Sequence, residues 1–431
     1  MAKPRTTLPI RLYRMATRLA TPFVRLMLAG RLRRGKEDPA RLGERFGIAS
    51  APRPKGPLIW VHGASVGEMI AVMPLMDRLR ARGFRVLLTS GTVTSARLAA
   101  DRLPPDIVHQ FVPLDSPRFL RRFLKHWRPD LVLLVESELW PNLIMEVNAR
   151  GTPLMLVNAR MSPRSFAKWL RLKRSVAALL ARVDMCLVQG RGDGDRLASL
   201  GATRVSVTGN LKFDSPPPPV DLVAFDALRK ATQGRQMLVA ASTHPGEEEI
   251  IIAAHAMLRP SLPRLLTIIA PRHPERGLDV VRAAQDLQMP AVLRSDGFLP
   301  DRGTQIYVAD TIGELGLFYR LCPVAFLGGS LIRHGGQNPI EPIRLEAAIL
   351  HGPTVTNFEE LYARLDENAG AEQVTDANTL ADAAYALMTD ETHRRRMVGA
   401  AQATIDSFSG ALERTLAAID PYLVQIRLER R

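Results

Sequence analysis

The sequence predicts an α/β protein of two Rossmann-like halves, preceded by a basic amphipathic helical segment. Three observations carry that expectation. Short apolar runs ending in small polar residues alternate with helical patterns along most of the 431 residues. A proline run interrupts this alternation half-way, and beyond it the alternation restarts. Eleven of the fifteen net positive charges lie in the first 55 residues, which carry 14 Lys/Arg against 3 Asp/Glu.

The length favours more than one hydrophobic core. With 46% apolar and 23% charged residues, the composition excludes a disordered, collagen-like or disulfide-stapled chain. Cys186 and Cys322 stand alone in apolar runs, as small buried hydrophobes of a reducing compartment do.

The first element spans Leu8 to Gly30. Arg11, Arg14, Arg18 and Arg25 recur at helical spacing and are expected on one narrow face, with Leu12, Met15, Leu19, Phe23, Leu26 and Met27 covering the rest. No uncharged run reaches the roughly 18 residues of a spanning helix, and arginines interrupt any signal-peptide core. Thr21-Pro22 is expected to divide the segment. Residues 1–50 therefore read as a segment lying on an anionic membrane surface, with the basic cluster at 31–36 adding attraction.

LIWVHGAS (58–65), FRVLLTS (84–90), DLVLLVES (130–137), PLMLVNA (153–159) and DMCLVQG (184–190) are continuous apolar runs, as strands of a buried parallel sheet require. They assign residues 51–214 to a first doubly wound domain. Ser215 to Pro219 contains four consecutive prolines, so residues 215–220 read as a stiff linker. QMLVAAST (236–243), LLTIIAPRH (265–273), AVLR (291–294), TQIYVAD (304–310), PVAFLGGS (323–330) and the region of Ala348–Gly352 then define a second domain, residues 221–431. One Ala- and Leu-rich helical region closes the chain from about Thr379 to Ile419. Two such domains facing each other across a cleft are expected to bind ligand there.

Strand-end loops carry the candidate chemistry. Glu68, in Gly63-Ala-Ser-Val-Gly-Glu68, is expected in the first turn of a helix. The helix dipole favours its ionised form, and a general base gains from burial that raises its pKa. Glu136 and Glu138 share one side only if the strand continues past Val135; a turn would separate them. In the second half, Gly328-Gly329-Ser330 and Gly335-Gly336 are expected to bring backbone N–H groups to an anion, with Asn338 and Glu341 on one face of a helix starting near Pro339. Arg272 ends a strand where it can pair with phosphate or carboxylate, and Thr311 to Gly313 form another strand-end loop. Asp193-Gly-Asp195 reads as a helix start, the nine histidines show no zinc-like pairing, and no tightly held metal is expected.

Taken together, HGASVGE (62–68), ESELWPN (136–142), NARMSPRS (158–165), VTGNLKFD (207–214), STHPGEE (242–248), PRHPER (271–276), DTIGEL (310–315) and GGSLIRHGGQNPIEP (328–342) resemble the 3-deoxy-D-manno-octulosonic acid (Kdo) transferases. The resemblance runs from RLGERFG (41–47) to the terminal helix. It implies the GT-B fold and an inverting, metal-independent glycosyltransferase without a cofactor. Such enzymes move Kdo from CMP-Kdo to a tetra-acylated lipid A precursor (lipid IVA) in lipopolysaccharide biosynthesis, as peripheral or monotopic proteins on the cytoplasmic face of the inner membrane. It further implies Glu68 as the base, Glu136 and Lys212 as supports of the transition state, and Arg272, His273, Thr311, Ile312, Gly313, Asn338, Pro339, Ile340 and Glu341 as donor-binding residues. Gln337 stands where many members carry His, and Gly352-Pro353-Thr354 lacks a common His after the Pro. Competing expectations are a UDP-sugar-dependent GT-B transferase, a nucleotide-sugar epimerase and a non-catalytic peripheral membrane protein. A nucleic-acid partner is not expected, since aromatics are only 6% and just +4 of charge lies beyond residue 55.

Overall fold

The computed structural model describes residues 6–218 and 220–430. It divides into two compact units, Met1–Ser215 with Phe408–Arg431, and Pro216–Ser407. Pro219, in the expected linker, lies outside the described residues; Pro216 to Pro218 belong to neither helix nor strand.

The first unit is built on seven parallel strands: β1 (Leu58–His62), β2 (Arg85–Ser90), β3 (Val108–Phe111), β4 (Leu131–Val135), β5 (Leu154–Ala159), β6 (Met185–Val188) and β7 (Val205–Val207). Their order is β3-β2-β1-β4-β5-β6-β7. Both faces are covered, which is why the strands read as unbroken apolar runs. Leu58 and Trp60 enter one core with Val132 and Leu134, whereas Ile59 and Val61 enter the opposite one with Leu133 and Val135. β3 and β7 were not expected from sequence. β3 is short and carries His109 and Gln110, and β7 is an exposed edge.

The second unit repeats the plan with β8 (Met237–Thr243), β9 (Leu266–Pro271), β10 (Ala291–Leu293), β11 (Ile306–Val308), β12 (Val324–Leu327), β13 (Ala348–His351) and β14 (Ala371–Gln373), in the order β10-β11-β9-β8-β12-β13-β14. All pairings in both sheets are parallel. Every strand of a sheet therefore ends on the same edge, and the order reverses between β1 and β4 in one unit and between β8 and β12 in the other.

The expected single helical region at the C-terminus is three helices, Ala377–Thr389, Glu391–Phe408 and Ala411–Glu429, broken at Asp390 and at Gly410, whose φ is +88°. The last helix joins the first unit, not the second as residues 221–431 implied. Its Leu416, Ile419, Leu423 and Ile426 complete the core that holds Ile59 and Val61. Burying such side chains is worth about 1.5–3 kcal/mol each, so the helix is integral to that unit. The boundary at 407/408 has no composition signal because both flanking helices are equally rich in alanine.

At the N-terminus, Ala20 separates α1 (Leu8–Leu19) from α2 (Thr21–Arg33), with Pro22 in the first turn of α2. Arg14 does not share an outward face with its fellow arginines. It donates to Glu146 at 2.6 Å, beside Ile10, which is buried, and Tyr13, which donates to Asp115 at 3.0 Å. Arg11, Arg18 and Arg25 are exposed, and so are Leu12, Met15, Leu19, Phe23 and Leu26; Phe23 is 68% and Leu26 72% exposed. No helix among the described residues is long and apolar enough to cross a membrane.

Candidate active site

In the first unit the loop after β1 turns into α3 (Val66–Ala81), and Ser65 is its N-cap. The Ser65 hydroxyl oxygen accepts from the Glu68 N–H at 3.3 Å, and its O–H donates to the Glu68 carboxylate at 2.9 Å. The Ala64 N–H donates to the other carboxylate oxygen at 2.8 Å. The Ser65 side chain caps the helix, and the Glu68 carboxylate folds back over its own helix start to the Ala64 N–H that precedes the cap. Burial pushes the Glu68 carboxyl above its usual range. The Ala64 and Ser65 hydrogen bonds pull it down, and the Glu136 and Glu138 charges push it up again. Burial wins over the cap.

Glu136 follows β4, on the other side of the strand-order reversal. It has φ +58°, a left-handed conformation unusual for a residue with a β-carbon. A turn does begin there, and the two carboxylates take different partners. Glu136 accepts from Lys212 Nζ at 3.1 Å. Glu138 accepts from Trp140 Nε1 and lies 3.5 Å from His62 Nε2. Burial alone would raise the Glu138 carboxyl, but the His62 and Trp140 hydrogen bonds hold it below the usual range.

Lys212 sits in the short 3-10 turn Leu211–Asp214. Asn210 Oδ1 accepts from the Lys212 N–H and Asn158 Oδ1 from the Leu211 N–H, both at 3.0 Å. The Asp214 carboxylate accepts from the N–H groups of Gly410 at 2.7 Å and Leu412 at 2.6 Å, and Phe213 stacks on Phe408 at 4.9 Å. The start of the last helix thus braces the turn that aims Lys212. Glu68, Glu136 and Lys212, from three separate motifs, come together at one edge of one sheet.

The second unit presents Arg272 and His273 after β9, Thr311 to Gly313 after β11, and Gly328 to Glu341 after β12, on one sheet edge. Arg272 and His273 are exposed. Thr311 donates to Glu314, whose carboxylate also accepts from Arg294 at 2.9 and 2.6 Å, so the loop is pinned from behind while Ile312 stands 83% exposed. Gly313 turns the chain with φ +90°. Asn338 Nδ2 reaches Glu341 at 3.4 Å, and Asn338 Oδ1 accepts from the Ile340 N–H at 3.1 Å. The helix beginning after Pro339 is a single turn, Ile340–Arg344, with Ile340 buried.

One expectation is corrected here. The N–H groups of the Gly328-Gly329-Ser330 loop do not face an open anion site. Those of Gly329, Ser330 and Leu331 donate to the Glu247 carboxylate at 2.7, 3.0 and 3.0 Å, and the His244 N–H adds a fourth at 3.0 Å. The anion that this loop needs is supplied internally, from a helix start about 80 residues earlier.

The 3-deoxy-D-manno-octulosonic-acid transferase (kdotransferase) family model matches residues 40–215. The 3-deoxy-D-manno-octulosonic acid transferase of Haemophilus influenzae is 36% identical over 392 residues, spanning 89% of this chain and 91% of its own. That of Bordetella pertussis is 36% identical over 426 residues, spanning 95% and 99%. The chain belongs to the 3-deoxy-D-manno-octulosonic acid transferase family. It is a glycosyltransferase.

Solved structures add the fold. A glycosyltransferase from Rickettsia africae superposes with a TM-score of 0.57 at 11% identity, over 86% of this chain and 99% of its own. The UDP-GlcNAc 2-epimerase of Neisseria meningitidis does so with 0.55 at 12% identity, over 87% and 100%. The architecture of this family member is GT-B-like.

The transferase also holds residues that motif reading missed. His244, in STHPGEE, is 6% exposed and packs its ring on His334 at 4.0 Å, with His273 at 6.3 Å. Its Nε2 is buried without a hydrogen-bond partner. Burial, then the neighbouring His334, His273, Arg272 and Arg276, push its pKa down to about 4. The signal in the sequence was the His of STH at the end of the strand bordering the order reversal. No group of three or more His, Cys, Asp or Glu among the described residues is placed to hold a metal ion. Cys186 and Cys322 are free and buried, and burial pushes the Cys186 thiol up to about 12.

Proposed function

We propose that this glycosyltransferase moves Kdo from CMP-Kdo to a tetra-acylated lipid A precursor (lipid IVA) in lipopolysaccharide biosynthesis, with inversion and without a metal or cofactor. The carrying observation is Glu68, a half-buried carboxyl with a raised pKa, beside the Lys212–Glu136 pair at the switch point of the first sheet. A base of that kind removes the proton of the acceptor hydroxyl as its oxygen attacks the anomeric carbon. The bond from that carbon to the CMP phosphate oxygen breaks on the opposite face, which inverts the configuration. Lys212, oriented by Glu136, offsets negative charge on the donor as the bond breaks.

In the second unit, Arg272, His273, Thr311 to Gly313 and Asn338 to Glu341 hold the donor. The positive surroundings of His244 and its unpartnered Nε2 favour the donor's phosphate or carboxylate there. A single phosphate can be held by Arg and backbone groups, without the divalent ion that a diphosphate often uses. The protein associates peripherally with the cytoplasmic face of the inner membrane, where Leu12, Met15, Leu19, Phe23 and Leu26 enter the anionic surface beside Arg11, Arg18 and Arg25.

Transfer from CMP-Kdo to the tetra-acylated precursor, followed by product mass, is the decisive assay. Glu68→Ala should lower it by about 10²–10⁴-fold, with protection from heat unfolding by CMP retained. Unchanged transfer removes Glu68 from the mechanism, and protection by UDP in place of CMP assigns the chain to UDP-sugar chemistry.

A further inference from the structure

The 3-10 segment Pro39–Phe46 is built around a buried guanidinium. Arg45 is 3% exposed, and it donates in three directions: from Nε to Glu37 at 2.9 Å, from Nη1 to the Val112 carbonyl at 3.2 Å, and from Nη2 to the Gly91 carbonyl at 2.7 Å. Its Cζ lies over the Phe111 ring, 4.6 Å from the centroid. Glu37 is oriented in turn by Arg31 of α2 at 2.7 Å.

Gly91 follows β2 and carries the arrangement onward. Its N–H donates to the Ala64 carbonyl at 3.1 Å, and the Ala64 N–H donates to Glu68 at 2.8 Å. A methyl group added at Gly91 would lie 3.0 Å from the Ala64 oxygen, so the two loops already touch. A line of hydrogen bonds, joined through the backbone of Gly91 and of Ala64, therefore runs from Arg45 to the carboxylate.

We propose that Arg45 is a positioning residue for Glu68, fixing the Gly91 peptide so that Ala64 holds the carboxylate in place. This rests on the reading of Glu68 as the base. The rigid fork of a guanidinium reaches three acceptors on different segments at once; an ammonium is a point charge and an apolar side chain donates nothing. A buried cation is also a costly way to fill volume, which sets Arg45 apart from ordinary packing. With Arg45 replaced, the Gly91 carbonyl loses its anchor, Gly91 shifts against Ala64, and the Ala64 N–H loses its aim.

The test uses the full chain with Arg45→Lys and, independently, Gly91→Ala, which presses on Ala64 from the other side and leaves Arg45 intact. Each should lower kcat by about 10- to 100-fold, with the KM for the donor unchanged. The acidic limb of the pH profile should move to higher pH, because the carboxylate loses an N–H that favours its ionised form. The other groups that act on Glu68, namely Ser65, Glu136 and Glu138, are left in place. Wild-type kcat in both variants overturns the proposal. So does a fall in kcat that tracks the folded fraction while the acidic limb stays put. If Arg45→Lys does not fold, Gly91→Ala decides on the same two readouts. Activity retained in Glu68→Ala would instead remove the base itself; an inactive Glu68→Ala beside fully active Arg45→Lys and Gly91→Ala removes only the positioning role.

Discussion

Each sheet places a carboxylate beside the point where its strand order reverses, and the two could hardly be treated more differently. Both Glu68 and Glu247 sit in the first turn of a helix, and burial raises both carboxyls. Glu247 is fully buried and accepts four backbone N–H bonds. Its lone pairs are taken, and it acts as a fixed counter-charge that shapes the glycine loop. Glu68 is half-buried, accepts one N–H and one O–H, and faces two further carboxylates. Partial satisfaction leaves it basic and reachable. A raised carboxyl pKa at a switch point is therefore no sign of catalysis until its donors are counted.

The contrast can be broken by mutation, most severely at Glu247. Glu247→Ala strands four N–H groups, three of them buried and that of Leu331 partly so, each buried one costing about 1–3 kcal/mol. A destabilisation of at least about 3 kcal/mol, toward the diagnostic end of the range for point mutants, should appear in urea titration of the full chain. Glu68→Ala should show no comparable loss. Lys212→Ala should leave the fold intact and lower kcat for Kdo transfer by about 10²–10³-fold, with part of the rate restored by Lys212→Arg; steady-state kinetics would check both. The smallest effect concerns stability. Because the folded Glu68 carboxyl holds its proton more tightly than an unfolded one, ionising it costs stability as pH rises from the usual carboxylate value (about 4.3) through the folded value. Below that window both states are protonated and the cost vanishes. Glu68→Gln should thus raise Tm more at pH 8 than at pH 4, read by thermal unfolding at the two pH values; an equal shift at both would contradict the burial of the carboxyl.

The buried apolar strands and the proline break made the two-sheet plan legible from sequence. β3 was hidden because Gln110, central in its run, is buried for its hydrogen bond to Trp127 and not for hydrophobicity. The site motifs stood out as residues at strand ends, and Glu68 falls in the first helical turn anticipated for it; the 3-10 turn that carries Lys212 had no such signal. What the residues could not reveal was pairing at a distance. The glycine loop looked open because its partner, Glu247, is far away in sequence. His244 was unremarkable until its ring met His334. Arg14 seemed one of a row of outward arginines until Glu146 claimed it. In each case the deciding partner comes from another element, and local spacing carries no trace of it.

The membership of the terminal helix in the first unit has a consequence for how the protein is made. Domains generally fold as units as they leave the ribosome, N-terminal first. Here the first 215 residues are synthesised, followed by the entire second unit, before Leu416, Ile419, Leu423 and Ile426 exist to close the core over Ile59 and Val61. The turn carrying Lys212 also waits for Gly410 and Leu412 to supply the N–H groups that Asp214 accepts. The nascent first unit must therefore persist with an open apolar face through nearly half of translation. A premature stop after residue 407 would leave a complete second unit attached to a first unit that never matures.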